Sequence, residues 1–296
     1  MHVPSAALGV TKDVRVYLPA GYDAAPAKRW PVYYFLHGLG GDETSWTARG
    51  HLDEVADRVG VQAIIVMPDA DNSFYTDAVT PIDYDACLTT GAGMLIPTQP
   101  RKQTCVKTAA YEAWIAKDLI AWVDTTYRTL ATRDARGIAG FSMGGYGALA
   151  LALRHKDLFA AAASHSGVDA LLYSGPWPYV AGKEVLETDV QNWGGRDPFG
   201  MWMRALMGPD LANWRAHDPA FLVGDLRPGE LALYLDCGTE DIFNFQNEAM
   251  YLHDLLVAKH LEHTYFIGPG RHDFSFWTPR LPASLGFLRA HVAGAR

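Results

Sequence analysis

Residues 137–147 read Gly-Ile-Ala-Gly-Phe-Ser-Met-Gly-Gly-Tyr-Gly. A short apolar run, Gly137 to Ala139, meets a turn, Gly140-Phe141-Ser142-Met143-Gly144-Gly145, and a helix-forming stretch follows from Tyr146. The turn is Gly-x-Ser-x-Gly in a strand-turn-helix setting. A turn this tight has no room for side chains at its flanking positions, so glycines let the backbone fold back and present the Ser142 hydroxyl at the carboxyl edge of a sheet. The same turn sets Ser142 at a helix N-terminus, where free N–H groups and the helix dipole favour a developing oxyanion. The glycines at 140, 144, 145 and 147 fit neither Gly-x-Gly-x-x-Gly nor the lysine-ended phosphate loop, so a dinucleotide or phosphate cradle is set aside.

Working outward, apolar runs at Val14–Leu18, Val32–His37, Ala63–Met67, Gly137–Ala139, Ala160–Ser164, Leu231–Asp236 and Thr264–Ile267 read as strands. Between them, Leu52–Val59, Ala110–Tyr127, Met143–Arg154, Asn244–Lys259 and Leu281–Val292 carry helical period. That alternation is the signature of an α/β chain with a mostly parallel central sheet and helices on both faces. No repeat or linker divides the chain, so a single domain over residues 1–296 is expected. Insertions at Asn72–Thr108 and Leu171–Leu222 fit neither pattern, and loops of that length usually shape a site. The second carries Trp177, Trp193, Trp202 and Trp214, either a wall for an aromatic or sugar group or ordinary lid packing.

With 49% hydrophobic and 20% charged residues the 296-residue chain can bury a large core, which excludes a disordered or fibrous protein. Its 25 Lys and Arg stand against 33 Asp and Glu, a net charge of −8 with no basic run, so nucleic acid is not an expected partner. No stretch approaches eighteen apolar residues, so no membrane-spanning helix is expected. Met1 to Leu8 lacks a basic and apolar leader, which leaves export undecided. Cys87 and Cys105 share one Gly/Pro/Thr-rich segment and form either a loop-closing disulfide or two free thiols. A bridge implies a secreted or periplasmic setting, free thiols a cytoplasmic one. Cys237 reads as a buried small hydrophobe.

A serine hydroxyl is a weak nucleophile until a base takes its proton. Of eleven histidines, His272 lies in the sharply turning Gly268-Pro269-Gly270-Arg271-His272-Asp273, just after the last strand, and is the expected base. His165 reads as a packed or supporting group and His37 as a loop-shaping one. His253, His260 and His263 lack the i, i+4 spacing of a helical zinc pair and read as solvated or locally bonded; no metal or cofactor is expected. The carboxylate that holds the imidazole should fall between serine and histidine. Leu233-Tyr234-Leu235-Asp236-Cys237-Gly238-Thr239-Glu240-Asp241 offers three acids: Asp236 within the strand, Glu240 and Asp241 beyond it. Asp241 is the choice and Glu240 the second. The oxyanion needs two N–H donors, expected from Met143 and from Leu39 in His37-Gly38-Leu39-Gly40-Gly41.

The ordered landmarks Val16-Tyr17-Leu18-Pro19-Ala20-Gly21-Tyr22, Leu36-His37-Gly38, Met67-Pro68-Asp69, Gly140 to Gly147, Cys237 to Asp241 and Gly270-Arg271-His272-Asp273-Phe274 resemble the esterase-D-like, carbohydrate esterase family one branch of the α/β-hydrolases. That branch holds tributyrin and feruloyl esterases, S-formylglutathione hydrolases and mycolyltransferases. The resemblance implies an α/β-hydrolase fold, Ser142, Asp241 and His272 as catalytic residues, and Leu39 and Met143 as the oxyanion hole. Leu39-Gly40-Gly41-Asp42-Glu43 lacks the cysteine usual after that loop in S-formylglutathione hydrolases. Ser73-Phe74-Tyr75-Thr76-Asp77 followed by a cysteine-bearing insertion is similar to the mycolyltransferases, which carry a disulfide there, although they usually use Glu as the acid. The expected function is therefore a serine carboxylic-ester hydrolase acting through an acyl-enzyme on a small or carbohydrate-linked ester. A mycolyltransferase-type acyltransferase, an S-formylglutathione hydrolase, and a binding protein with an unused triad are the alternatives. A small-molecule ester is the expected partner; oligomeric state is not legible.

Overall fold

The computed structural model describes residues 1–295 as an eight-stranded sheet flanked by helices. The strands are β1 His2–Ser5, β2 Val10–Tyr17, β3 Val32–Leu36, β4 Ile64–Pro68, β5 Arg136–Phe141, β6 Ala161–His165, β7 Ala232–Glu240 and β8 His263–Arg271, in the order β1-β2-β4-β3-β5-β6-β7-β8. The first two are antiparallel to their neighbours, and from β4 to β8 every pair is parallel. Every residue of β3, β4, β5 and β6 is buried, as a sheet covered on both faces requires. One cluster of core side chains contains Tyr34, Leu36, Val66 and Ile138; the other contains Tyr33, Phe35, Ile65 and Ala139. These alternate along β3, β4 and β5, so each strand feeds both layers of the core.

Because the central strands run parallel, the loops after β3, β4, β5, β7 and β8 all emerge at one carboxyl edge. In open α/β sheets that edge is where ligands bind.

Several sequence readings are corrected in detail. β1 was not anticipated; four residues with two buried positions are too few to show a period. β7 continues through Glu240 rather than ending at Asp236, because it stays paired with β8 to Glu240↔Arg271 across an irregularity between Gly238 and Glu240. The last helix is Phe274–His291, beginning seven residues before the expected Leu281. Asp273 caps it by accepting the Ser275 N–H at 2.8 Å, while Phe276 and Trp277 bury its first turn, so Pro279 and Pro282 lie inside it. The insertions are also more ordered than expected: Tyr84–Thr90 and Arg101–Thr104 are helical in the first, and Pro198–Met207, Leu211–Arg215 and Pro219–Leu222 in the second. Cys87 and Cys105 are joined in a disulfide, and Cys237 is a free, buried thiol. No described helix is long and apolar enough to cross a membrane.

Candidate active site

Ser142 follows β5 and stands at the N-cap of the helix Met143–Arg154 with φ +55° and ψ −122°, a left-handed setting that side-chain-bearing residues rarely adopt. Its surroundings enforce it. A methyl group on Gly140 would lie 2.1 Å from the Gly144 carbonyl oxygen, and one on Gly144 would lie 2.3 Å from the Leu36 carbonyl oxygen. Both glycines therefore let the helix start pack directly on the backbone of β3 and β5. The Ser142 N–H is fixed on the His165 carbonyl at 2.9 Å.

His272 follows β8 and Asp241 follows β7. The three side chains meet although 130 residues separate Ser142 from His272: His272 Nε2 lies 2.8 Å from Ser142 Oγ, and His272 Nδ1 lies 2.6 Å from Asp241 Oδ2. A carboxylate only accepts, so Nδ1 carries the proton and Nε2 presents its lone pair to the serine hydroxyl. Asp241 is buried, and its other oxygen accepts the Phe243 N–H at 2.9 Å. The Cys237 sulfur approaches Asp241 Oδ2 at 3.5 Å, and burial pushes that thiol well above its usual pKa, so it stays neutral beside the carboxylate. The imidazole is walled edge-on by Phe243, Phe245 and Trp277, with ring centroids 4.9, 5.4 and 5.0 Å away. Glu240, the second choice among the acids, points to solvent and faces Arg271 at 3.6 Å.

The Leu39 loop lies against Ser142, since a methyl group on Gly38 would come within 3.2 Å of Ser142 Cβ. Among the described residues, neither the Leu39 nor the Met143 N–H donates to an acceptor of the chain. Three neighbours fix this loop. His37 holds the Gly38 carbonyl through Nδ1 at 2.8 Å and receives the Ala70 N–H on Nε2 at 3.0 Å, a pairing that only the neutral Nδ1–H tautomer satisfies. Tyr75 donates its hydroxyl to the His37 carbonyl at 2.8 Å. Asn72 Oδ1 accepts the Gly40 N–H at 2.8 Å. Next to Asn72, buried Lys12 bridges Asp69 and Asp71 at 2.7 Å each, and burial, then the Asp69 charge, pushes the Asp71 carboxyl above its usual range.

A second Ser-His-Asp arrangement lies deeper. His165 places Nδ1 2.8 Å from Asp236 and Nε2 3.0 Å from Ser284 Oγ, and all three side chains are fully buried. With Tyr234 and Arg280 also on Asp236, this group joins β6, β7 and the last helix and has no opening to a substrate. His253 and His263 bond to each other at 2.7 Å, so they are locally bonded to one another, a pairing ten residues apart that no helical spacing could show. Of the tryptophans, Trp214 is fully buried and packs on Trp193 at 5.1 Å, whereas Trp177 is exposed. Asn72, Tyr75, Ser284 and Cys237 as neighbours of these histidine and acid groups were not anticipated; for Asn72 the one available cue was its position just after the Met67-Pro68-Asp69 strand end.

The chain matches the Esterase family, described as "Putative esterase", over residues 5–288. Esterase Rv1288 of Mycobacterium tuberculosis is 30% identical over 211 residues, which is 70% of this chain and 40% of that protein, so the chain spans well under half the length of this curated relative. Diacylglycerol acyltransferase/mycolyltransferase Ag85A of Mycobacterium gordonae is 26% identical over 310 residues, covering 98% of this chain and 79% of that one. A fluorophosphonate-binding serine hydrolase of Staphylococcus aureus superposes with a TM-score of 0.70 at 20% identity, over 97% of this chain and 96% of that one, a likeness of α/β-hydrolase fold. With its match running across nearly all of the sheet and every loop of the site, the chain belongs to the Esterase family.

Proposed function

We propose that this chain is a serine carboxylic-ester hydrolase working through an acyl-enzyme. The observation that carries the reading is the unbroken hydrogen-bonded line from Ser142 through His272 to buried Asp241. In this reading the Ser142 hydroxyl gives its proton to His272 Nε2 as Oγ attacks the ester carbonyl carbon, and Asp241 steadies the imidazolium. The Leu39 and Met143 N–H groups receive the oxyanion. The imidazolium then protonates the departing alcohol, and His272 next deprotonates a water that releases the acid and restores Ser142. The site supplies nucleophile, base and oxyanion donors from its own residues. The Cys87–Cys105 bridge supports an oxidising location, secreted or periplasmic.

Replacing Ser142 by Ala is expected to abolish turnover of p-nitrophenyl acetate and covalent labelling by a fluorophosphonate, with the circular dichroism spectrum unchanged. Full residual turnover in that variant refutes the assignment. A second reading, acyl transfer to a carbohydrate, is supported by the likeness to Ag85A along almost the whole chain. Faster acyl release with an added sugar favours it; release by water alone favours the hydrolase.

A further inference from the structure

We propose that a cavity of about 370 Å³, lying between the loop after β4 and the helix Pro198–Met207, binds the apolar acyl chain of the ester. This proposal rests on the hydrolase reading and extends it to the substrate class. The volume falls within the range of small-molecule sites. Met94, Leu95, Val106, Trp202 and Leu206 are among the apolar side chains of its wall, and the bridged Cys87 and Cys105 line it too. The polar side chains at the wall already have protein partners: Asp71 binds Lys12, Asn72 binds Gly40, Ser73 binds Tyr75, Thr80 binds Ala205 and Thr104 binds Pro100. The cavity thus presents mainly hydrocarbon, which suits an alkyl chain better than a sugar.

Its position relative to Ser142 follows from the strand order. β4, β3 and β5 are adjacent, so the loops after them stand side by side: the cavity after β4, the Leu39 loop after β3, Ser142 after β5. Two strand spacings amount to roughly 10 Å, a distance that several methylenes span. The two regions are in contact, since Asn72 lines the cavity and binds Gly40, and a methyl group on Gly40 would lie 3.2 Å from Ile96, the residue after Leu95. His272, by contrast, comes after β8, on the other side of Ser142. The leaving oxygen must reach His272 Nε2 to take its proton, so the alcohol lies on the β8 side, which leaves the β4 side to the acyl chain.

The test is a series of p-nitrophenyl esters from acetyl to dodecanoyl, read as kcat/KM in the wild type and in Ala205→Trp. Ala205 is exposed on its helix yet lines the cavity, so the larger ring fills the space without entering the core. Wild-type kcat/KM is expected to rise about fourfold per methylene over the first few carbons, the increment of burying each CH₂. In Ala205→Trp the octanoyl ester should lose tenfold or more while the acetyl ester stays within twofold; should that variant fail to fold, Ala92→Trp fills the cavity from its opposite, exposed wall. The same length profile in wild type and variant overturns the proposal, as does a loss confined to acetate esters of long alcohols. Calorimetric binding of decanoate to Ser142→Ala protein, lost when Ala205→Trp is added, separates the two claims: a chain that binds decanoate this way but hydrolyses no ester refutes the hydrolase reading and supports the cavity.

Discussion

Asn72 and Gly40 lie 32 residues apart, on loops leaving the adjacent strands β4 and β3, and the Asn72 side chain accepts the Gly40 N–H at 2.8 Å. The bond fixes the peptide that follows Leu39 and so restrains the loop that carries the Leu39 N–H, the proposed oxyanion donor. An oxyanion donor contributes only when it is already aimed at the position the charge will take. Asn72→Ala is therefore expected to lower kcat on p-nitrophenyl acetate roughly tenfold, a part of the effect of losing a whole donor, with little change in KM. Asn72→Asp, which keeps the acceptor, should recover part of the loss. A rise in KM at unchanged kcat would contradict this role.

The Cys87–Cys105 bridge spans a sequence separation of 18 and ties the helix Tyr84–Thr90 to the end of Arg101–Thr104. Closing a loop of about this length stabilises a fold by up to about 3 kcal/mol through the unfolded chain. The double variant Cys87→Ser, Cys105→Ser should have a lower melting temperature, and the untreated wild type should show a single free thiol, at Cys237, by non-reducing mass spectrometry. Two further free thiols in native protein would remove the case for export.

What the sequence disclosed and what it hid divide by the range of the contacts involved. Ser142 was legible because its whole structural cause, the glycines at 140 and 144 and the helix behind them, sits within a few residues. His272 and Asp241 were legible because strand ends and turn residues place them on one sheet edge in a fixed chain order. Asn72, the buried His165–Ser284 contact and the His253–His263 pair depend on segments brought together by the fold, 32, 119 and 10 residues apart, and no periodicity encodes such meetings. Element ends failed for a related reason. β7 reaches Glu240 because β8 lies beside it, and the last helix starts at Phe274 because Trp277 is buried against Ser166 and Phe141.

Asp169 is buried without a cation. Its Oδ1 accepts the Ser164 hydroxyl at 2.7 Å, while its Oδ2 has no partner among the described residues. Burial raises its carboxyl from 3.8 to about 7. The folded chain thus keeps a proton between about pH 4 and pH 7 that the unfolded chain has released, and linkage gives the sign: this contribution is complete below pH 4 and is lost as pH rises through 7. The loss is on the order of a few kcal/mol. Asp218, at about 6, titrates in the same window and burial raises the Asp71 carboxyl as well, so Asp169→Asn removes only its own share. Urea unfolding at pH 5, 6, 7 and 8 should show a shallower decline with pH in the variant; parallel profiles would rule out the titration.

Asp241 and Glu240 are adjacent in the chain, yet only one can serve His272. Asp241 is 4% exposed and accepts from Nδ1 at 2.6 Å, whereas Glu240 is exposed and faces Arg271 at 3.6 Å, a contact worth little in water. An amide at 241 can turn its own N–H₂ toward the ring and favour the wrong tautomer, which leaves Nε2 carrying a proton instead of a lone pair. Asp241→Asn is expected to lower kcat by about 10³- to 10⁴-fold with KM nearly unchanged, and Glu240→Gln to stay within about twofold of wild type. The comparison is decisive in steady-state kinetics on p-nitrophenyl acetate, because the two substitutions are chemically alike and one residue apart. A larger fall for Glu240→Gln than for Asp241→Asn would mean that the acid partner of His272 has been misidentified.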